Sequence, residues 1–336
     1  MSKRTAIVGA TGAVGTTMLS ILEERDFPVS DLRMLASNRS AGRVIPTKWG
    51  DVIVEDLADA DPAGIEIALF SAGGTRSREY APKFAAAGAV VIDNSSAFRQ
   101  DDNVPLVVAQ VNDHAIKDHQ GIVANPNCTT MVLMMGAGPL HRAAGLKAMT
   151  ATSYQSVSGT GQTGMDVLAH EIDVLGKDRE LLAKGGWSEP GSDVYSRPIG
   201  FNVLAHAGSF TEMGYTDEEW KLVNETRKIL EASDIKVEPF CVRVPVMVGH
   251  GIAATMFFER PVSVDEAKSV LADAPGTQLW DDTKVPTPLD SAGIDDVLIG
   301  RVRPTVGDDG GISLWTVGDN LRKGAALNAV QLAELL

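Results

Sequence analysis

The side chain with the most reactive chemistry is Cys128, in the segment Asn125-Pro-Asn-Cys-Thr-Thr130. It follows an apolar run and precedes a helical pattern that begins near Thr129. A helix start favours the thiolate, which is the form that attacks a carbonyl carbon and holds it as a thioester. A buried, inert thiol is the alternative reading of the same residue. His250 follows a glycine and is a reasonable proton shuttle near neutral pH, although a lone histidine is more often structural. Seven positions earlier, Phe240-Cys-Val-Arg-Val-Pro-Val246 alternates. Phe240, Val242, Val244 and Val246 are expected on a core face, with Cys241 and Arg243 on the other, so Arg243 should point away from that core. Glu218 and Lys221 lie three apart on an expected helix and share a face, which on spacing alone describes an exposed ion pair of small value.

A second chemistry is written in Gly9-Ala-Thr-Gly12-Ala-Val-Gly15, which follows a strand and opens a helix. The spacing departs from G-x-G-x-x-G, yet the physics carries over. Glycines allow the tight turn and a close backbone approach, and unsatisfied N–H groups at the helix start can hold a pyrophosphate. A site for NAD would place an acidic residue about 20 positions on, at the end of the second strand. Here that strand ends Ala36-Ser-Asn-Arg-Ser40, and an arginine with hydroxyls suits the 2′-phosphate of NADP.

The elements that must position these groups change in texture along the chain. Near-continuous apolar runs at 5–10, 33–37, 65–72, 89–94 and 121–125 read as buried parallel strands, with helices at 14–24 and 76–87 between them. Right-handed βαβ units and an N-terminal Rossmann-like, doubly wound sheet are expected. Beyond Cys128 come longer alternating strands at 236–246 and 251–259, with helices around Asp166 and Glu218. This half is expected to be a C-terminal α+β catalytic domain, an antiparallel sheet with helices on one face. An amphipathic helix is expected at 325–336. The 336 residues, 44% hydrophobic and 22% charged, suffice for two cores. We place residues 1–127, with a terminal helix at about 318–336, in a nucleotide-binding domain and 128–317 in a catalytic and dimerisation domain.

Charge narrows the partners. A formal net charge of −14 gives no basic face for nucleic acid or an anionic membrane, so a small molecule is the expected ligand, and if it is anionic, local arginines must hold it. Two widely separated cysteines and no stretch near the apolar length of a membrane span point to a reducing, cytoplasmic setting. Six histidines include no H-E-x-x-H and there is no clustered Cys/His spacing, so no metal is expected.

Taken together, the glycine turn, the Cys128 segment, Asp93-Asn-Ser-Ser-Ala-Phe-Arg99, Ser153-Tyr-Gln-Ser-Val-Ser-Gly-Thr-Gly161, Glu218-Glu-Trp-Lys221, 243–250 and Gly318-Asp-Asn-Leu-Arg-Lys-Gly324 resemble the bacterial aspartate-semialdehyde dehydrogenases from Arg4 to the C-terminus. The resemblance implies reversible, NADPH-dependent reduction of aspartyl phosphate to aspartate semialdehyde and inorganic phosphate. That step belongs to the route to lysine, methionine, threonine and diaminopimelate. It casts Cys128 as nucleophile, His250 as general base and Gln155 as the group that orients substrate. Arg243 would take the α-carboxylate, Glu218 the ammonium, and Arg99 with Lys221 the phosphate. Cofactor contacts would come from Gly9, Thr11, Gly12, Ala13, Val14, Arg39 and Ser40, and from Ser158, Gly159 and Asn320 in the second domain. It also implies a homodimer joined through the second domain. Cys241 inherits no role, and a buried structural thiol is expected. Three other readings stay open: an N-acetyl-glutamyl-phosphate reductase of the same layout, a non-enzymatic NADP-binding protein, and a thiol hydrolase or transferase without hydride chemistry.

Overall fold

The computed structural model describes residues 2–177, 179–184, 192–307 and 310–336. They form two compact units: residues 1–131, 227–232 and 321–336 make one, and 132–226 with 233–320 make the other.

In the first unit, β1 (Lys3–Val8), β2 (Val29–Ala36), β3 (Val44–Thr47), β4 (Gly50–Asp56), β5 (Ile67–Phe70), β6 (Val90–Asp93) and β7 (Ile122–Ala124) form one sheet. Its order is β3-β4-β2-β1-β5-β6-β7. All neighbours run parallel except the β3–β4 hairpin. The strands expected at 33–37, 65–72, 89–94 and 121–125 appear as β2, β5, β6 and β7, each offset by a few residues, and the run at 5–10 appears as β1. The hairpin was not expected, because Val44 and Ile53 are more than half exposed and their alternation is short. Helices α1 (Ala13–Glu24) and α2 (Gly74–Ala86) supply the crossovers.

This core needs the terminal segment. Ile7, Met34 and Leu69 from the strands pack with Ile21 and Leu22 of α1 and with Leu327, Val330 and Ala333 near the C-terminus, all buried. The expected terminal helix begins as a short π-turn, Arg322–Ala326, whose Lys323 is 1% exposed yet donates to the carbonyl of Ala109 at 3.0 Å and to Gln331 Oε1 at 2.8 Å. A buried ammonium is tolerable only when its protons are taken up in this way.

Helix α3 (Cys128–Ala144) leads into the second unit, where β8 (Leu146–Gln155), α4 (Gln162–Leu175), α5 (Arg179–Lys184), α6 (Asp217–Ile229), β9 (Lys236–Arg243), β10 (His250–Phe258), α7 (Val264–Ala272), β11 (Thr277–Leu279), α8 (Pro288–Ser291), β12 (Val297–Pro304) and β13 (Ile312–Gly318) follow. After this unit the chain ends on α9 (Leu327–Glu334) in the first. The sheet order is β11-β12-β13-β10-β8-β9. It is mixed, where an antiparallel sheet was expected. The three inner pairs are antiparallel, but β8–β9 and β11–β12 run parallel. The residues between β8 and β9 carry α4, α5 and α6, enough chain for the crossover that a parallel pair requires.

The facing of β9 also corrects the expectation. Val242 and Val244 are buried as expected, at 7% and 9%, but Cys241 and Arg243 are covered too, at 0% and 8%, and Phe240 is 51% exposed on the open side. Alternation reports a period of two and leaves undetermined which face is covered. The strand stops before Pro245, which has no N–H for a ladder.

Candidate active site

The dinucleotide turn in the first unit is built on contacts that only glycine allows. Gly9 has φ +88°, and a Cβ there would lie 2.2 Å from the Ser71 carbonyl oxygen. A Cβ on Gly15 would come equally close to the Gly9 oxygen, so the turn and the first turn of α1 are pressed together. Gly12 caps α1 with no side-chain acceptor, so no capping side chain takes up the first N–H groups of the helix, those of Ala13 and Val14. The hydroxyls of Thr11 and Ser40 hydrogen-bond at 3.1 Å, tying the turn to the loop after β2. Gly9, Thr11, Gly12, Ser37 and Arg39 line one pocket. Among the described residues no acidic side chain lines it.

Cys128 is the first residue of α3 and is partly exposed. The residue before it does the capping. Asn127 Oδ1 accepts from the Thr129 N–H at 2.9 Å and more weakly from Thr130 at 3.4 Å, which fixes the turn that presents the thiol. The same strand end anchors Arg99. Its guanidinium donates from Nε to the carbonyl of Asn125 and from Nη2 to that of Asn94, both at 2.9 Å, and the residue is 7% exposed. Lys228 in turn donates to the carbonyls of Arg99 and Asp101 at 2.9 and 2.8 Å. Buried Asp93, held by Ser77 and Ser95 at 2.6 Å each, is raised above the usual carboxylate range because burial outweighs those bonds.

In the second unit the remaining site residues form one connected cluster. Gln155, the last residue of β8, donates to Glu218 Oε2 at 3.1 Å. Glu218 Oε1 and Asp217 Oδ2 each accept from Lys221 Nζ at 2.6 Å. Burial opposes the charge on Lys221, but these two carboxylates hold its pKa above the ordinary value. Glu218 and Lys221 are therefore more than an exposed pair: the Glu218 side chain is 15% exposed and touches Gln155.

Arg243 donates to the Ser156 carbonyl at 2.7 Å. The Ser156 N–H donates to His250 Nδ1 at 3.1 Å, and its hydroxyl donates to Asn320 Oδ1 at 3.0 Å. Asn320 also exchanges hydrogen bonds with Ser158 and accepts from the Gly249 N–H at 2.9 Å, so it clamps both segments that flank His250. Since Nδ1 accepts from a backbone N–H, the neutral ring carries its proton on Nε2. His250 is fully buried, and burial first, then the Arg243 charge, push its pKa down to about 3, against a smaller upward pull from Glu218. A Cβ on Gly159 would lie 3.1 Å from Arg243 Nη1 and 3.4 Å from His250 Nε2, so the glycine keeps the approach to both groups open.

Glu218, Arg243 and Gly159 line one cavity of about 330 Å³ together with Tyr195, His206 and Ser209. Ser156 joins the most partners in this cluster and was not singled out from the sequence, although it lies inside the quoted 153–161 segment. Asn127, Asp217, Tyr195 and His206 were likewise missed. Nothing in their spacing marks a small polar residue as a hub.

Over nearly its whole length the chain is similar to known proteins of one family. Residues 4–119 match the family model described as semialdehyde dehydrogenase, NAD binding domain, and residues 138–323 match semialdehyde dehydrogenase, dimerisation domain. An aspartate-semialdehyde dehydrogenase of Streptomyces akiyoshiensis is 53% identical over 99% of this chain and 98% of its own length. The crystal structure of aspartate semialdehyde dehydrogenase II from Vibrio cholerae superposes with a TM-score of 0.95 at 43% identity, covering 100% of this chain and 98% of its own. A second structure of that enzyme, complexed with ASA, gives a TM-score of 0.93 over the same shares of the two chains.

Proposed function

The chain belongs to the aspartate-semialdehyde dehydrogenases, oxidoreductases of amino-acid biosynthesis with a nicotinamide-binding Rossmann domain, and from that premise we propose that it works through a Cys128 thioester with NADP as cofactor. The observation that carries the substrate assignment is the cavity that holds one guanidinium, Arg243, and one carboxylate, Glu218. A zwitterionic amino-acid head has the opposite charges, an α-carboxylate for the arginine fork and an α-ammonium for Glu218. An N-acetylated amine carries no charge and would offer Glu218 no ammonium to meet.

In the reductive direction Cys128 attacks the acyl carbon of aspartyl phosphate. The C–S bond forms, the C–O bond to phosphate breaks, and phosphate departs with the bonding pair, its charge met by Arg99 and Lys221. When bound, NADPH supplies hydride. The oxyanion left on carbon is stabilised by a hydrogen bond from His250 Nε2–H, the C–S bond breaks, and the thiolate is restored with release of aspartate semialdehyde. In the oxidative direction the same N–H steadies the alkoxide of the thiohemiacetal until hydride leaves; the general-base role that the resemblance implies requires the other tautomer, with Nε2 bare and the proton on Nδ1. Gln155 orients the acyl group beside the nucleophile.

The residues present fit NADP. The glycine turn has no Cβ to obstruct a pyrophosphate, Ala13 and Val14 offer N–H groups, and Arg39 with Ser40 stands where an NAD enzyme places an acid. Ser158, Gly159 and Asn320 are assigned to the nicotinamide end. We also propose a homodimer formed by the open face of the second sheet. Phe240, Thr152, Ala253 and Trp315 stand in register across four strands on that face, and Phe240 is 51% exposed. A row with three apolar members out of four is a face to be covered. Among the described residues no helix is long and apolar enough to cross a membrane, and the reading places the enzyme in the cytoplasm.

The test is substrate choice. Aspartate semialdehyde should support phosphate-dependent NADP reduction, and Glu218→Gln should raise its KM by roughly tenfold or more, the loss of a charged hydrogen bond. Turnover of N-acetyl-glutamate semialdehyde in preference would overturn the substrate assignment. Sedimentation of a monomer at micromolar concentration would overturn the dimer.

A further inference from the structure

We propose that Arg76 is the second cation of the pocket for the adenosine 2′-phosphate, so that NADP is selected by two guanidiniums, one from the loop after β2 and one from the first turn of α2. The inference deepens the cofactor assignment above and rests on it.

Arg39 and Arg76 are 37 positions apart in the sequence but line the same cavity. The topology explains why. In the sheet β1 lies between β2 and β5, and all three run parallel, so the loops that follow these strands open on one edge. The loop after β1 is the glycine turn, that after β2 carries Ser37 and Arg39, and that after β5 runs through Ser71 and Ala72 to Arg76. A dinucleotide whose pyrophosphate lies on the first loop has its adenosine between the other two.

The charge balance of these arginines is informative. Nearby, Arg33 forms a two-point bridge with Glu55 and Arg78 forms one with Asp101, while Arg43, which forms no ion pair among the described residues, does not line the cavity. Among the described residues, Arg39 and Arg76 form no ion pair, and no carboxylate lines the cavity they share. In a chain of net charge −14, two uncompensated cations on one concave surface are a local reversal of the overall field. A phosphate monoester is close to doubly charged at neutral pH and matches two guanidiniums better than one. The hydroxyls of Ser37, Ser40 and Thr11 add donors of the kind such an anion accepts.

Fragments of the cofactor isolate the claim from catalysis. Calorimetry with 2′,5′-ADP and with 5′-AMP compares ligands that share adenosine and the 5′-phosphate and differ in the 2′-phosphate. The parent protein should favour 2′,5′-ADP. Arg76→Gln, a change at an exposed residue with no ion pair to lose, should weaken 2′,5′-ADP by about tenfold, the scale of one charged hydrogen bond, and leave 5′-AMP unchanged. Arg76→Lys should recover part of the loss, and Arg39→Gln should behave like Arg76→Gln. Equal weakening of both ligands would overturn the inference, because Arg76 would then serve the shared adenosine, and so would no weakening of either. A parent protein that binds the two fragments equally would overturn the NADP assignment itself, a failure that the Arg76 variants alone cannot produce.

Discussion

Lowering the pH should destabilise this protein through His250 by an amount that the structure allows to be worked out. The ring titrates at its ordinary value of 6.5 in the unfolded chain and is pushed down to about 3 in the folded one, chiefly by burial and then by the Arg243 charge. Between those values the unfolded state binds a proton that the folded state refuses. The folded state therefore keeps its full advantage above pH 6.5 and loses it as pH falls, by about 1.4 kcal/mol for each unit. From pH 7 to pH 5 the contribution is about 2 kcal/mol.

The variant that isolates it is His250→Asn. Its Oδ1 can replace Nδ1 as acceptor for the Ser156 N–H, and asparagine does not titrate. Urea unfolding midpoints for both proteins at pH 7 and pH 5 give the comparison. The variant will be less stable at both, but its loss between the two pH values should be smaller than the parent's by about 2 kcal/mol. The raised Asp93 and the titrating groups remote from His250 are common to both and cancel. Parallel pH profiles would refute the claim that His250 is held neutral by its surroundings.

Further outcomes follow from the same contacts. Lys228→Met frees the carbonyls of Arg99 and Asp101, so the KM for inorganic phosphate should rise by roughly three- to tenfold with the KM for NADP unchanged, read from phosphate saturation in the oxidative direction. Replacing Arg243 by Lys removes the planar fork and the bond to the Ser156 carbonyl, and should raise the KM for aspartate semialdehyde by about tenfold or more in steady-state assays. Iodoacetamide at neutral pH should label Cys128 alone, as read by peptide mass spectrometry. Cys241 is 0% exposed with its thiol pushed up to about 12 by burial, and modification of Cys241 in the native protein would contradict that account.

Much of the first unit was legible because buried parallel strands are written as continuous apolar runs, and because a glycine-rich turn between strand and helix is a local pattern whose geometry suits a pyrophosphate. The place of Cys128 at the start of a helix was legible for a similar local reason, since it is a matter of neighbours in sequence. What was not legible depends on which surfaces meet. The alternation at 240–246 carried the period of β9 but not its covered face, so Phe240 and Arg243 were assigned the wrong way round. The parallel edge pairs of the second sheet follow from long crossovers whose destination no local pattern encodes. Ser156 and Arg76 were invisible for the same reason, since each takes its meaning from residues dozens of positions away, His250 and Asn320 for one and Arg39 for the other. The resemblance to a family carried most of the second-unit residues that spacing could not.

The most direct test of the central claim is oxidation of aspartate semialdehyde by the native protein and by Cys128→Ala, followed through the absorbance of reduced NADP, with and without inorganic phosphate. A thioester route predicts reduction of NADP that requires phosphate and disappears in the variant. Reduction that persists in Cys128→Ala, or that proceeds equally well without phosphate, would contradict it.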